Sequence, residues 1–395
     1  MNTNSTPDFT SHAFLEEHAQ FILAFYENRV QAPAGYYQCF KDNGDVYDEQ
    51  TRHLVSSTRF TFNYANAFMR YGHHHHKRLA QHGLKHLLTH HKQANGNYAW
   101  ELHGSSVSQG NAMAYGHAFV MLCASACVKA GITDAEKVID ETWAFTEEYF
   151  WYPSHEAYAD ERNADLTVLD PYRGQNANMH MCEALIAAWH TTHEQLYLER
   201  AHTLTNKFCF ELAQQSNGLI WEHYNTDWQV DMQYNIDKPD DLFKPWGFQP
   251  GHQVEWSKLL LQLNEIQADQ RWVDKAVMLF DTAMEKGWDK QHGGLVYGFG
   301  PDDKFADTHK YFWVHAEAIA AAWRLYKVTN KPKYLEHYNA LWQWSWDHLI
   351  DHQYGAWYRI RNRDGSAFDD LKSPPGKTDY HTLGAVWDVL DTMQA

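Results

Sequence analysis

The 395-residue sequence contains no Ser/Gly-rich linker and no low-complexity block. Nothing in it marks a domain boundary, so 1–395 reads as a single domain, although the length alone allows two or three. No apolar run approaches the roughly 18 residues of a membrane span. The stretch Met1-Asn2-Thr3-Asn4-Ser5-Thr6-Pro7 is polar and lacks the basic-then-apolar order of a secretion signal. Basic charge is short: Lys and Arg number 33 against 50 Asp and Glu, a formal net charge of −17. That balance argues against nucleic acid and anionic membrane surfaces as partners. No glycine-rich phosphate loop precedes a helix, which argues against nucleotides. The five cysteines, Cys39, Cys123, Cys127, Cys182 and Cys209, form no C-x-x-C pair and are odd in number. Buried thiols in a reducing cytoplasm fit that usage. No Ser–His–Asp arrangement stands out, although so many histidines leave one open.

Apolar residues make up 44% of the chain, enough for a large core. The aromatic share is 15%, with 17 Trp and 23 Tyr. Such a surplus suits sugar binding, because ring faces pack on C–H groups while the polar tips stay usable. It also serves as filler in large helical barrels. The 27 histidines are unusual. The run His73–His76 reads as the polar start of a helix. Metal binding by it is the weaker reading, because adjacent histidines point different ways around a helix.

Apolar residues recur at helical spacing over 12–29, 58–71, 74–91, 111–130, 134–150, 177–194, 197–214, 251–267, 270–286, 312–328, 332–349 and 380–393. The spacing predicts about twelve helices. Between them lie short Gly- and Asn-rich segments with alternating aromatics, such as Gly96–Glu101, Asn217–Glu222 and Tyr354–Tyr358. Each predicts a turn with a short strand or hairpin. The unit helix, helix, aromatic hairpin recurs six times. Arg59, Asn111, His180, His252, His315 and His381 sit on alternate helices, spaced 52, 69, 72, 63 and 66 residues apart. Six helical hairpins can close into an all-α (α/α)6 barrel with short β-hairpins at its mouth. An open solenoid is the alternative, but it wants polar capping repeats that are not evident.

Every alternate helix opens on a polar cluster where a core helix would favour apolar residues. The clusters are Ser57-Thr58-Arg59, Gly110–His117, Gln175–His180 with Glu183, His252 with Glu255, Trp313 with His315 and Glu317, and Asp379-Tyr380-His381. Any one is explained by N-capping or by a satisfied core polar group. Six on alternate helices predict one pocket under ring closure. Within Gly251-His252-x-x-Glu255-Trp256 the imidazole and the carboxylate share one helix face. A histidine backed by a carboxylate can move protons near neutral pH.

The set Asn176-Ala177-Asn178-Met179-His180-x-x-Glu183, Gly251-His252-x-x-Glu255-Trp256, Trp313-x-x-x-Glu317 and Asp379-Tyr380-His381 resembles the N-acylglucosamine 2-epimerase superfamily over essentially the whole chain. Asn178-Met179-His180 is most similar to its aldose–ketose isomerase branch, since cellobiose 2-epimerases tend to carry N-x-H-x-H there. The resemblance implies an (α/α)6 barrel and a metal-independent, cofactor-free proton transfer through a cis-enediol. It implies interconversion of D-mannose and D-fructose, and of D-lyxose and D-xylulose. A sugar 2-epimerase and a sulfosugar isomerase are the alternatives. A glycoside hydrolase would need two carboxylates across the scissile bond, for which Glu255 and Glu317 are the candidates.

On this resemblance His381 takes the C2 proton and returns it at C1. His252 handles ring opening and the opposite face, with Glu255 orienting it. Arg59 stabilises charge at O1 and O2, and His180 and Glu317 bind hydroxyls or relay protons. Asn111, Tyr115, Asn178, Trp246 and Trp313 are expected in the sugar pocket, with Trp256 crowding it. The expected partner is a monosaccharide, and the expected form a cytoplasmic monomer or homodimer.

Overall fold

In a computed structural model, residues 6–241 and 243–394 are described. The segment Met1–Ser5, most of the polar N-terminal stretch discussed above, lies outside the described residues, as do Leu242 and Ala395. The described residues hold twelve α-helices: α1 (His12–Tyr26), α2 (Leu54–Tyr71), α3 (His74–His86), α4 (Ala114–Lys129), α5 (Ala135–Tyr149), α6 (Gln175–Thr192), α7 (Gln195–Thr205), α8 (Pro250–Ile266), α9 (Gln270–Gly287), α10 (Phe312–Thr329), α11 (Pro332–His348) and α12 (Tyr380–Gln394). The helix starting near residue 111 begins at Ala114 instead, because Ala112–Met113 is a strand paired with Glu161–Arg162. The expected helix 197–214 is α-helical only to Thr205, continuing as a π turn to Glu211 and a 3-10 turn to Ser216.

The even-numbered helices pack in the order α2, α4, α6, α8, α10, α12 and back to α2, so they close a ring; the odd-numbered helices pack outside it. Sequence composition explains the two layers. The helix α8 is buried from Pro250 through Leu261, whereas α9 buries one stripe: Trp272, Val273, Ala276, Leu279, Phe280, Ala283 and Met284. A helix apolar all round belongs inside, and a helix with a single apolar stripe belongs at the surface. This is the (α/α)6 barrel expected from the repeats. No described helix is long and apolar enough to cross a membrane.

Small antiparallel sheets cap the end at which the six inner helices begin. Cys39–Lys41 pairs with Val46–Asp48 on one side and with Leu371–Ser373 on the other, tying the first inter-repeat segment to the last. Arg173–Gly174 pairs with His223–Tyr224, which sets Glu222 beside the start of α6. Lys310–Tyr311 pairs with Ile360–Arg361 ahead of α10.

Candidate active site

One pocket of about 110 Å³ opens where the inner helices start, and each of the six contributes to its wall. The contributors are Arg59 (α2), Tyr115 (α4), Asn176 and His180 (α6), His252 and Glu255 (α8), Phe312 and Trp313 (α10), and His381 (α12). Tyr297, Tyr311, Arg359 and the turn Pro374–Lys377 complete it from the loops.

His381 is fixed from behind. Its Nδ1 donates to Glu317 Oε1 at 2.7 Å, and Lys258 Nζ donates to Glu317 Oε2 at 2.5 Å. That leaves Nε2 toward the pocket, 3.3 Å from Arg59 Nη2. Burial, and then the Arg59 charge, holds the His381 imidazole well below its ordinary pKa, so it is a neutral base near pH 7. The turn before α12 is set by Asp379, whose φ of 49° lies in the left-handed region. Its carboxylate accepts from Tyr26 Oη at 2.5 Å, from Thr382 Oγ1 at 2.9 Å and from Lys377.

Arg59 is clamped as well. Its Nη1 donates to the Gly376 carbonyl at 2.7 Å and its Nη2 to Tyr115 Oη at 3.1 Å, and its guanidinium lies 4.3 Å from the Phe119 ring centre. Trp313 lies between the two catalytic candidates, its ring 5.0 Å from His252 and 5.7 Å from His381. Gly251 makes this possible, since a Cβ there would overlap the Trp313 indole.

Several sequence expectations are corrected. His252 is not oriented by Glu255: its Nδ1 donates to Glu222, whose two carboxylate oxygens both lie 2.9 Å away. Glu317 does not face the sugar pocket but stands behind His381. Asn111 is exposed, precedes its helix and donates to Glu161 at 2.7 Å, outside the pocket. Asn178 is a structural residue whose amide bonds Tyr158 and Gly174 backbone groups, while Asn176 lines the pocket. Trp246 donates to the Met232 carbonyl and Trp256 to Gln175, so Trp313 is the one tryptophan in the wall. His315, the anchor counted on α10, is a core residue that accepts from Leu295 N.

Glu255 has the opposite environment to the other carboxylates. Glu183 accepts from His180 Nδ1 at 3.0 Å and from Tyr380 Oη at 2.6 Å. Burial opposes its ionisation, but His180, Lys258 and Tyr380 outweigh burial and hold the carboxyl at about 2. Neither oxygen of Glu255 has a hydrogen-bond partner among the described residues, although the residue is 1% exposed. Burying an ion costs several kcal/mol when no donor offsets it. Burial and then the nearby Glu317 charge push the Glu255 carboxyl well above the ordinary range. Burial thus favours its protonated form, and it faces the pocket.

Among the described residues, two three-residue groups have the donor chemistry for a cation: His180, Glu183 and Glu255, and Glu255, Glu317 and His381. Glu222 and Lys258 escaped sequence reasoning, and Asn176 entered it only as a member of the Gln175–His180 cluster. Lys258 left a trace as the single charge within Trp256–Leu263.

The N-acylglucosamine 2-epimerase (GlcNAc 2-epimerase) family profile matches residues 35–385. The D-mannose isomerase of Marinomonas mediterranea is 47% identical over 391 residues, covering 98% of this chain and 99% of that protein. A crystal structure of D-mannose isomerase superposes with a TM-score of 0.97 at 47% identity, covering 98% of this chain and all 100% of that one. The cellobiose 2-epimerase of Spirochaeta thermophila shares the fold, with a TM-score of 0.87 at 20% identity over 97% of each chain. The chain therefore belongs to the N-acylglucosamine 2-epimerase family.

Proposed function

We propose that this protein is an aldose–ketose isomerase that interconverts D-mannose and D-fructose, and D-lyxose and D-xylulose, without a metal or other cofactor. The observation that carries this is the full-length 47% identity to a D-mannose isomerase. The geometry supplies a mechanism. His252, polarised by Glu222, opens the ring by moving the proton from O1 to the ring oxygen. His381 Nε2 takes the proton from C2 of the open-chain aldose and returns it to C1 on the same enediol face. Arg59 stabilises the oxyanion between those steps.

A second proton must also move, because O2 loses its hydrogen as O1 gains one. Glu255 serves here: its carboxyl hydrogen passes to O1 while its other oxygen receives the proton of O2. The carboxyl ends neutral, as it began. Both of its oxygens are free for this, which a group engaged in orienting His252 could not offer. The chain acts as one domain over 1–395, in the cytoplasm, as a monomer or homodimer.

The test is a time course on D-mannose with D-fructose and D-glucose quantified from the earliest points. Fructose is expected first and in excess. Glucose appearing first would make the protein a 2-epimerase. Trp246 and Trp256 lie outside the wall, so selectivity falls to Trp313, Phe312, Tyr297 and the Pro374–Pro375 turn, which limit rotation of the intermediate.

A further inference from the structure

We propose that His180, Glu183 and Glu255 form an inhibitory divalent-cation site in the wall of the sugar pocket, suited to Zn²⁺ or a similar borderline ion. The inhibition rests on the isomerase reading above; the site itself does not.

The first argument is charge. Three carboxyl groups, the buried Glu255 and Glu317 and the half-buried Glu183, face two buried cations, Arg59 and Lys258. Glu183 and Glu317 each accept two hydrogen bonds, and Glu255 accepts none. One carboxyl group is thus in excess. A proton satisfies it in the resting protein, and a metal ion can replace that proton.

The second argument is distance. Zinc bonds to nitrogen and oxygen run about 2.0–2.2 Å, so neighbouring ligand atoms of a tetrahedral site lie about 3.4 Å apart. His180 Nδ1 stands 3.0 Å from Glu183 Oε2 and 3.8 Å from Glu255 Oε1. All three ligand atoms fall within 4.8 Å of one another. Shifts of about half an ångström bring the two distances from His180 to a tetrahedral edge. One existing bond, His180 to Glu183, is exchanged. The histidine hydrogen moves to Nε2, the Glu255 proton leaves to water, and the fourth position opens on the pocket that His180 and Glu255 line. The other candidate group is worse placed, because Lys258 already holds Glu317 and Arg59 stands 3.3 Å from His381 Nε2. A cation there would meet two fixed positive charges.

An ion at His180, Glu183 and Glu255 takes the Glu255 proton and occupies the reacting end of the pocket. It is therefore expected to compete with sugar. The full chain, stripped with chelator, is titrated with Zn²⁺ by calorimetry and with Co²⁺ by visible absorption. A His74→Ala/His75→Ala background removes two surface histidines. One ion per chain is expected, with binding weakened about tenfold or more in Glu255→Gln and in Glu183→Gln. Crystals soaked in Zn²⁺ should give an anomalous peak between the three side chains. Zn²⁺ should raise the apparent KM for mannose and leave kcat at saturating sugar unchanged, while the stripped protein stays active. No binding, binding undiminished in either variant, a peak at other residues, or inhibition that saturating sugar does not relieve would overturn the proposal. If the substrate is another sugar, the calorimetry and the anomalous peak stand unchanged, so the two readings fail separately.

Discussion

Glu222 grips His252 from outside its own helix, with both carboxylate oxygens 2.9 Å from Nδ1 and with Gln175 donating to Oε2 at 3.0 Å from the far side. The strand pair Gly174–His223 brings it there. Glu222 is a positioning residue that sets the imidazole tautomer and orientation, as the carboxylate does behind other catalytic histidines.

Glu222→Gln keeps the shape and removes the charge. Its kcat is expected to fall on the order of a hundredfold, with KM changed only a few-fold. Steady-state kinetics over pH, with sugar binding by calorimetry as a control, check this. An unchanged kcat and pH profile would return the orienting role to another group.

In the proposed mechanism His381 and Glu255 act on different protons, and two variants separate them. His381→Ala is expected to abolish both isomerisation and exchange of the C2 hydrogen with solvent. Glu255→Gln should still exchange C2 hydrogen in D₂O while ketose formation drops roughly 10²–10⁴-fold. NMR of recovered mannose reads the exchange. Loss of both activities in Glu255→Gln, with sugar binding intact, would remove the O1/O2 shuttle.

Acid should unfold this protein well before ordinary carboxylates titrate. Burial lowers His18, His53 and His315 from 6.5 to about 3, and His117 to about 4. The folded state therefore binds fewer protons than the unfolded one below pH 6.5, so stability falls as pH drops through that value. At pH 5 each such histidine costs about 2 kcal/mol, at 1.36 kcal/mol per unit of difference. Four together rival a typical total stability of about 5–15 kcal/mol. Thermal melts between pH 7.5 and 5 should show a steep decline. A flat Tm over that range would contradict it.

The barrel was legible because twelve apolar periodicities alternate with turn-rich segments, and the helix starts carrying Arg59, His180, His252 and His381 meet as the repeats required. What escaped was contact across loops and register within a turn. Glu222 lies thirty positions before His252, and the strand pair that sets it carries no local pattern. Asn178 and Asn176 differ by two positions, which on a helix is about 200° of rotation, so one faces Tyr158 and the other the pocket. Trp246 sits in a loop, where no periodicity assigns a face.

All six inner helices begin around the pocket and run away from it. Each helix start carries roughly half a positive charge from its aligned peptide groups. The pocket is thus ringed by a fixed positive potential, while the protein as a whole carries −17. Seen from solvent the molecule repels anions; seen from the reacting carbons it welcomes one. On the proposed isomerase reading, a neutral sugar enters unhindered, becomes an anion only where the backbone itself favours it, and leaves neutral. An anionic sugar would meet the unfavourable far field first, so the architecture selects for uncharged substrates before any side chain touches them.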